Sequence, residues 1–120
     1  MSIFFVGIGG ALGAILRYLI SMVPVRTDFP ILTLVTNVIG AFVIGCIAAL
    51  SKKYNMPNDV VLMLKTGVCG GFTTFSTFSL EAYNLFESRK IGMGITYAAL
   101  SLVLCIVAVL LGGAVVSRLS

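Results

Sequence analysis

Four stretches of the chain carry enough consecutive apolar residues to cross a bilayer, and short polar turns separate them. The first, residues 3–23, is interrupted only by Arg17 and stops at Pro24, ahead of the turn VRTDFP. The second, residues 31–50, starts after Pro30, a residue suited to a first helical turn, and SKKYNMPND follows it. The third, residues 59–86, carries Lys65 and Glu81 near its two ends. The fourth, residues 91–117, has no formal charge between Lys90 and Arg118. About 20 mostly apolar residues span the hydrocarbon layer as a helix. The pattern therefore predicts an all-α integral membrane protein with a single four-helix transmembrane domain over residues 1–120. The first stretch does not end in a signal-peptidase-like site and is expected to be retained.

The third stretch departs from a plain apolar helix. In GVCGGFTTFSTFS, from Gly67 to Ser79, the glycines Gly67, Gly70 and Gly71 precede the hydroxyls of Thr73, Thr74, Ser76, Thr77 and Ser79. Glycine weakens a helix interior by roughly 1 kcal/mol against alanine, and Ser and Thr offer the backbone rival hydrogen bonds. A break in the third helix near residues 70–76 is expected. Backbone groups freed at membrane depth are tolerated where they face protein, water or an ion, so the break is a candidate functional site.

Loop charges bear on orientation. Four crossings put both termini on one side, with Lys52, Lys53 and Arg118, while Arg26, Arg89 and Lys90 lie opposite. A three-against-three balance sets no preferred orientation by the positive-inside rule. Insertion both ways leads to an antiparallel, dual-topology homodimer, in which two inverted copies act like the inverted repeats of larger transporters. The plainer alternative is one orientation set by small charge differences or by flanking lipid.

Composition narrows the chemistry. With 59% hydrophobic and 10% charged residues, the chain lacks the polar surface of a soluble domain. Histidine is absent, and Cys46, Cys69 and Cys105 fall in separate stretches without CxxC spacing, so soft-metal chemistry is not expected and the thiols read as small apolar packing groups. The net charge of +4 sits mostly in short loops, where it reports topology and lipid contact and not nucleic-acid binding. No Walker or GxGxxG motif is present, and no enzymatic activity is expected.

Several residues carry candidate chemistry. Arg17 either faces an aqueous cavity, favouring an anion, or snorkels to the interface near Pro24. Asn37, beside Thr36 and close to Gly40 and Gly45, is either a donor lining an anion path or interhelical glue. Phe75 and Phe78 share a face if the chain is helical after the break. They are either packing or, flanked by Ser76, Thr77 and Ser79, rings whose positive edges hold an anion loosely. Tyr97, Ser101 and Cys105 follow one another at one-turn spacing, forming a short polar stripe, although a membrane serine commonly bonds back to its own helix. Glu81 either pairs with a basic loop residue, the favoured reading, or biases anion entry.

These residues resemble the Fluc or CrcB family of fluoride channels. The likeness covers the whole chain through GGALGAILRY at Gly9–Tyr18, TLVTNVIGAFVIG at Thr33–Gly45, and above all GVCGGFTTFSTFS. It implies a dual-topology homodimer of four-helix subunits in the bacterial inner membrane, with two pores that pass fluoride passively and confer fluoride resistance. By resemblance, Phe75 and Phe78 face the fluoride path, Asn37 donates beside it, and Ser76, Thr77 and Ser101 supply hydroxyls along a polar track. Tyr97 lies next to that track and Arg17 at the aqueous vestibule. The resemblance also implies a structural sodium ion on the dyad, held by backbone carbonyls of Gly70 and Thr73 from both subunits. Cys105 departs from members that carry a hydroxyl there. Two other classes fit the length: a small proton-coupled multidrug exporter and a non-transporting membrane assembly subunit. The exporter needs a membrane carboxylate in the first helix, where this chain has Arg17 and no acid.

Overall fold

A computed structural model describes residues 2–119. The described residues form helices and connecting turns, with no strand. Helix α1 spans Ser2–Ser21 and α2 spans Ile31–Tyr54. The next helix, α3, covers residues 58–72: a short α-helical start at Asn58–Val61, a π-helical stretch at Leu62–Cys69 and a last turn at Gly70–Phe72. Helix α4 spans Phe75–Glu87, and α5 spans Ile91–Arg118. Helices α1, α2 and α5 are each long and apolar enough to cross a membrane. The molecule is 49 Å along its longest axis, compared with about 30 Å of hydrocarbon in a bilayer.

Helix α2 continues past Leu50 through Ser51–Tyr54 and stops at Asn55, whose backbone is left-handed with φ 52° and whose N–H returns to Ser51 O. Asn is one of the few residues that tolerate this conformation at a helix end, and Lys52 and Lys53 lie in the last turn, where the helix dipole favours cations.

Small residues set the helix contacts. On α1, Gly9 faces the Met63 carbonyl and Val68 N, and Gly13 faces the Val68 carbonyl and Phe72 N; a Cβ at either position would collide with backbone. On α3, Gly67 lies against Gly9 and Gly10, and Gly71 lies against the Gly10 backbone. Helices α1 and α3 thus meet backbone to backbone, the close approach that small residues permit in membranes. The same device joins α2 to α5: Gly45 meets Val109, and Gly112 meets the Phe42 carbonyl and Cys46, whose thiol donates to Gly112 O at 3.5 Å.

The interruption between α3 and α4 falls on Thr73 and Thr74, not on the glycines before them. Gly70 keeps helical angles (φ −64°, ψ −37°), whereas Thr73 (φ −88°, ψ 157°) and Thr74 (φ −150°, ψ 118°) are extended. Gly71 serves the contact with α1, and the β-branched threonines suit extended backbone. Helix α4 then restarts with Thr74 as its cap, the Thr74 hydroxyl accepting from Thr77 N at 3.1 Å.

Candidate functional site

The break leaves helical carbonyls and amides without their usual partners, and side chains from α1 and α2 take them up. Asn37, on α2, accepts from Thr74 N at 2.8 Å through Oδ1 and donates to Thr74 O at 3.1 Å through Nδ2. Arg17, on α1, donates from Nε to Gly71 O at 3.1 Å. It is half-buried, with Nε turned to the break. Thr73 bonds back to Cys69 O through both its N–H (3.0 Å) and its hydroxyl (2.9 Å). In a continuous helix Gly70 O would accept from Thr74 N; that amide goes to Asn37 instead, which frees the Gly70 carbonyl on an exposed face.

Two cavities flank the break. One, of about 430 Å³, is an apolar groove floored by α2 and α5, and Asn37, Gly70, Phe75, Phe78, Ser101 and Cys105 are among its lining residues. The other, of about 290 Å³, is a cleft that Arg17, Thr33, Thr36, Thr74 and Thr77 help to line. Thr74 is common to both.

Aromatic rings line one side of the groove. Phe78 stands 5.5 Å from Phe75 and 5.1 Å from Tyr97, centroid to centroid, and Phe29 meets Tyr97 edge-on at 5.5 Å. Phe75 is 79% exposed and Tyr97 fully buried, so Phe78 bridges the outer surface of the subunit and its core. Ser101 Oγ, on α5, is buried and has no hydrogen-bond partner. It does not bond back to its own helix, the usual habit of a membrane serine.

A family model described as CrcB-like protein, Camphor Resistance (CrcB), matches residues 4–113. The chain belongs to the CrcB family. It is similar to proteins named fluoride-specific ion channel FluC: 41% identical over 114 residues to that of Azobacteroides pseudotrichonymphae, covering 92% of this chain and 91% of the relative. Agrobacterium fabrum has another, 42% identical over 116 residues, covering 93% of each. Identity to that of Rhizobium etli strain CIAT 652 is 44% over 121 residues, covering 98% of this chain and 97% of the relative. With these relatives and its long apolar helices, this CrcB chain is a multi-pass membrane protein.

In this CrcB chain the residues singled out in sequence divide by cavity. Asn37, Phe75, Phe78 and Ser101 share the groove, with Gly70 and Thr73; Arg17 and Thr77 share the cleft. Ser76 lies at the surface beside the Thr74 hydroxyl, 3.2 Å away, and Tyr97 stands behind Phe78. Glu81 does not pair with a basic loop residue. Its carboxylate accepts from the Tyr97 hydroxyl at 3.1 Å, while the basic Lys90 pairs with Asp28 in the turn before α2. Glu81 is three residues from Phe78 on α4, and its contact with Tyr97 lies where α4 packs on α5.

Thr74 escaped the sequence reading as a site residue. Its signal was partial: a Thr ahead of a helical run is an N-cap candidate, but Thr77 stands three residues on, where a capping box has Glu or Gln. The run of five hydroxyls masked which of them served as the cap.

Proposed function

We propose that this chain is a passive fluoride channel that empties the cytoplasm of fluoride and so confers fluoride resistance. One observation carries the reading: Ser101 Oγ, buried and without a partner, lines the same groove as Asn37 and the rings of Phe75 and Phe78. Buried polar atoms are nearly always paired, so an orphan donor in a groove is suited to a transient ligand. The ligand it suits is an anion: hydroxyl and amide N–H groups donate, aromatic edges are positive, and the charged residue among those lining the two cavities is Arg17. The named relatives are called fluoride-specific channels.

The residues act by donation and exclusion, with no chemical step. Arg17 gathers the anion in the cleft, and the hydroxyls of Thr77, Ser76 and Ser101 with the Asn37 amide replace its water. Phe75 and Phe78 give weak edge contacts that permit quick release, with Tyr97 supporting Phe78 from behind. A negative cell interior drives an anion outward by about 2.3 kcal/mol per charge per 100 mV, so a passive path in the inner membrane suffices.

The functional unit is an antiparallel homodimer. The balanced loop charges allow both orientations, and the exposed Phe75 with the open groove beside it gives a partner subunit an apolar face to cover. The freed Gly70 carbonyl and the extended Thr73 beside it fit a hard cation, since a Cβ at Gly70 would meet nothing closer than 3.9 Å and two copies can approach there. Gly70 and Thr73 carbonyls from both subunits would hold a sodium ion, which would satisfy their oxygen lone pairs at the dyad.

Fluoride-electrode recording of efflux from proteoliposomes tests the function. Rapid release on adding a potassium ionophore supports the channel, and release requiring a proton gradient points to an exporter. No release leaves a non-transporting assembly subunit. Cysteine labelling from each side of the membrane tests dual topology: comparable labelling from both sides supports it, and labelling from one side only removes it.

A further inference from the structure

Thr74 lines both the cleft and the groove, and two further hydroxyls, those of Ser76 and Thr77, lie beside its own. Thr74 Oγ1 accepts from Thr77 N at 3.1 Å, donates to Thr77 Oγ1 at 3.1 Å and lies 3.2 Å from Ser76 Oγ. A hydroxyl has one proton and two lone pairs, and its proton can swing about the C–O bond while the oxygen stays in place. The Thr74 backbone is held on both sides, N–H and carbonyl, by Asn37. The side chain therefore turns on a fixed support. On the cleft side the facing groups are Arg17 and Thr77; on the groove side stands Ser101, 7% exposed, with its hydroxyl unpartnered. An anion leaving one cavity for the other loses its donors at the partition unless a group there can serve both faces in turn.

We propose that the Thr74 hydroxyl is the crossing point, a positioning donor that hands the anion between the Arg17 cleft and the groove of Phe78 and Ser101. The inference rests on the channel reading above. No covalent bond forms or breaks: the proton stays on Oγ1 and only its direction changes, first toward the cleft and then toward the groove. The lone pair that caps α4 remains engaged with Thr77 N throughout, so the helix start is undisturbed while the donor turns.

Three variants separate this role from the capping role: T74S keeps the rotating hydroxyl, T74V removes it in nearly the same shape, and T74N keeps a cap acceptor but replaces the rotor with an amide. Initial fluoride efflux from liposomes is measured for each, alongside monodispersity and thermal stability in detergent. The expected result is T74S within about threefold of the wild type, and T74V and T74N slowed by about tenfold or more, the effect of one lost donor at a barrier. T74N should keep wild-type stability, and it decides the matter if T74V does not fold. Wild-type flux in T74N, or a T74S as slow as T74N, overturns the handover, because the hydroxyl is then either dispensable or insufficient. If the wild type itself releases no fluoride, the channel reading fails first and the handover falls with it.

Discussion

Asn37 closes a two-bond ring on the backbone of Thr74, its Oδ1 accepting from the Thr74 amide at 2.8 Å and its Nδ2 donating to the Thr74 carbonyl at 3.1 Å. One side chain on α2 thereby satisfies both polar backbone groups of an extended residue. Interhelical bonding and anion donation, posed as alternatives from sequence, are compatible here, since an amide nitrogen has two N–H groups and Thr74 O uses one.

Removing that ring should destabilise the fold as well as slow transport. Asn37→Ala leaves a partly buried N–H and C=O unpaired, at up to about 1–3 kcal/mol each. Thermal unfolding in detergent is expected to shift down markedly, and fluoride efflux to fall. Unchanged thermal stability would show that water or another side chain replaces Asn37.

The contact of α1 with α3 makes a steric prediction. A Cβ at Gly13 would collide with the Val68 carbonyl and Phe72 N, which are backbone atoms and cannot swing aside, whereas Gly113 has nothing within 4 Å. Gly13→Ala should destabilise by roughly 1–3 kcal/mol as an overpacked contact, and Gly113→Ala should be neutral or slightly stabilising as a better helix former. Denaturation of the two variants in the same detergent compares them directly.

Arg17 is held by a side-on bond from Nε, a donor that lysine lacks at that position. Arg17→Lys keeps the charge but should lose the contact to Gly71 O, worth about 1.5–3 kcal/mol for a charged donor. Efflux is expected to drop about tenfold, by the usual conversion of 1.4 kcal/mol per decade. Full activity in the lysine variant would show that charge alone is enough.

Phe78 touches Phe75 on one side and Tyr97 on the other. Phe78→Ile retains an apolar side chain while removing the positive ring edge, so efflux should fall by up to about tenfold, roughly the 1.5 kcal/mol that an aromatic contact contributes at most. Stability should change little, because the partly buried site still holds an apolar group. Equal flux in the isoleucine variant would assign Phe78 to packing.

The apolar runs alone determined the all-helical membrane architecture, because hydrocarbon leaves a chain few ways to satisfy its backbone. The hydroxyl-rich segment likewise marked the neighbourhood of the break. The break fell on Thr73 and Thr74 and not on the glycines because Gly67 and Gly71 were committed to the backbone contact with α1, a contact between residues far apart in the chain. Glu81 shows the same limit: a carboxylate near the end of a span suggested a loop partner, yet the packing of α4 on α5 set it beside Tyr97. Local hydrophobicity and propensity are properties of neighbours in sequence and could be read there. Which amide Asn37 grips, which carbonyl Arg17 reaches and which threonine borders both cavities depend on how separate helices approach one another in space, and only the tertiary structure decided them.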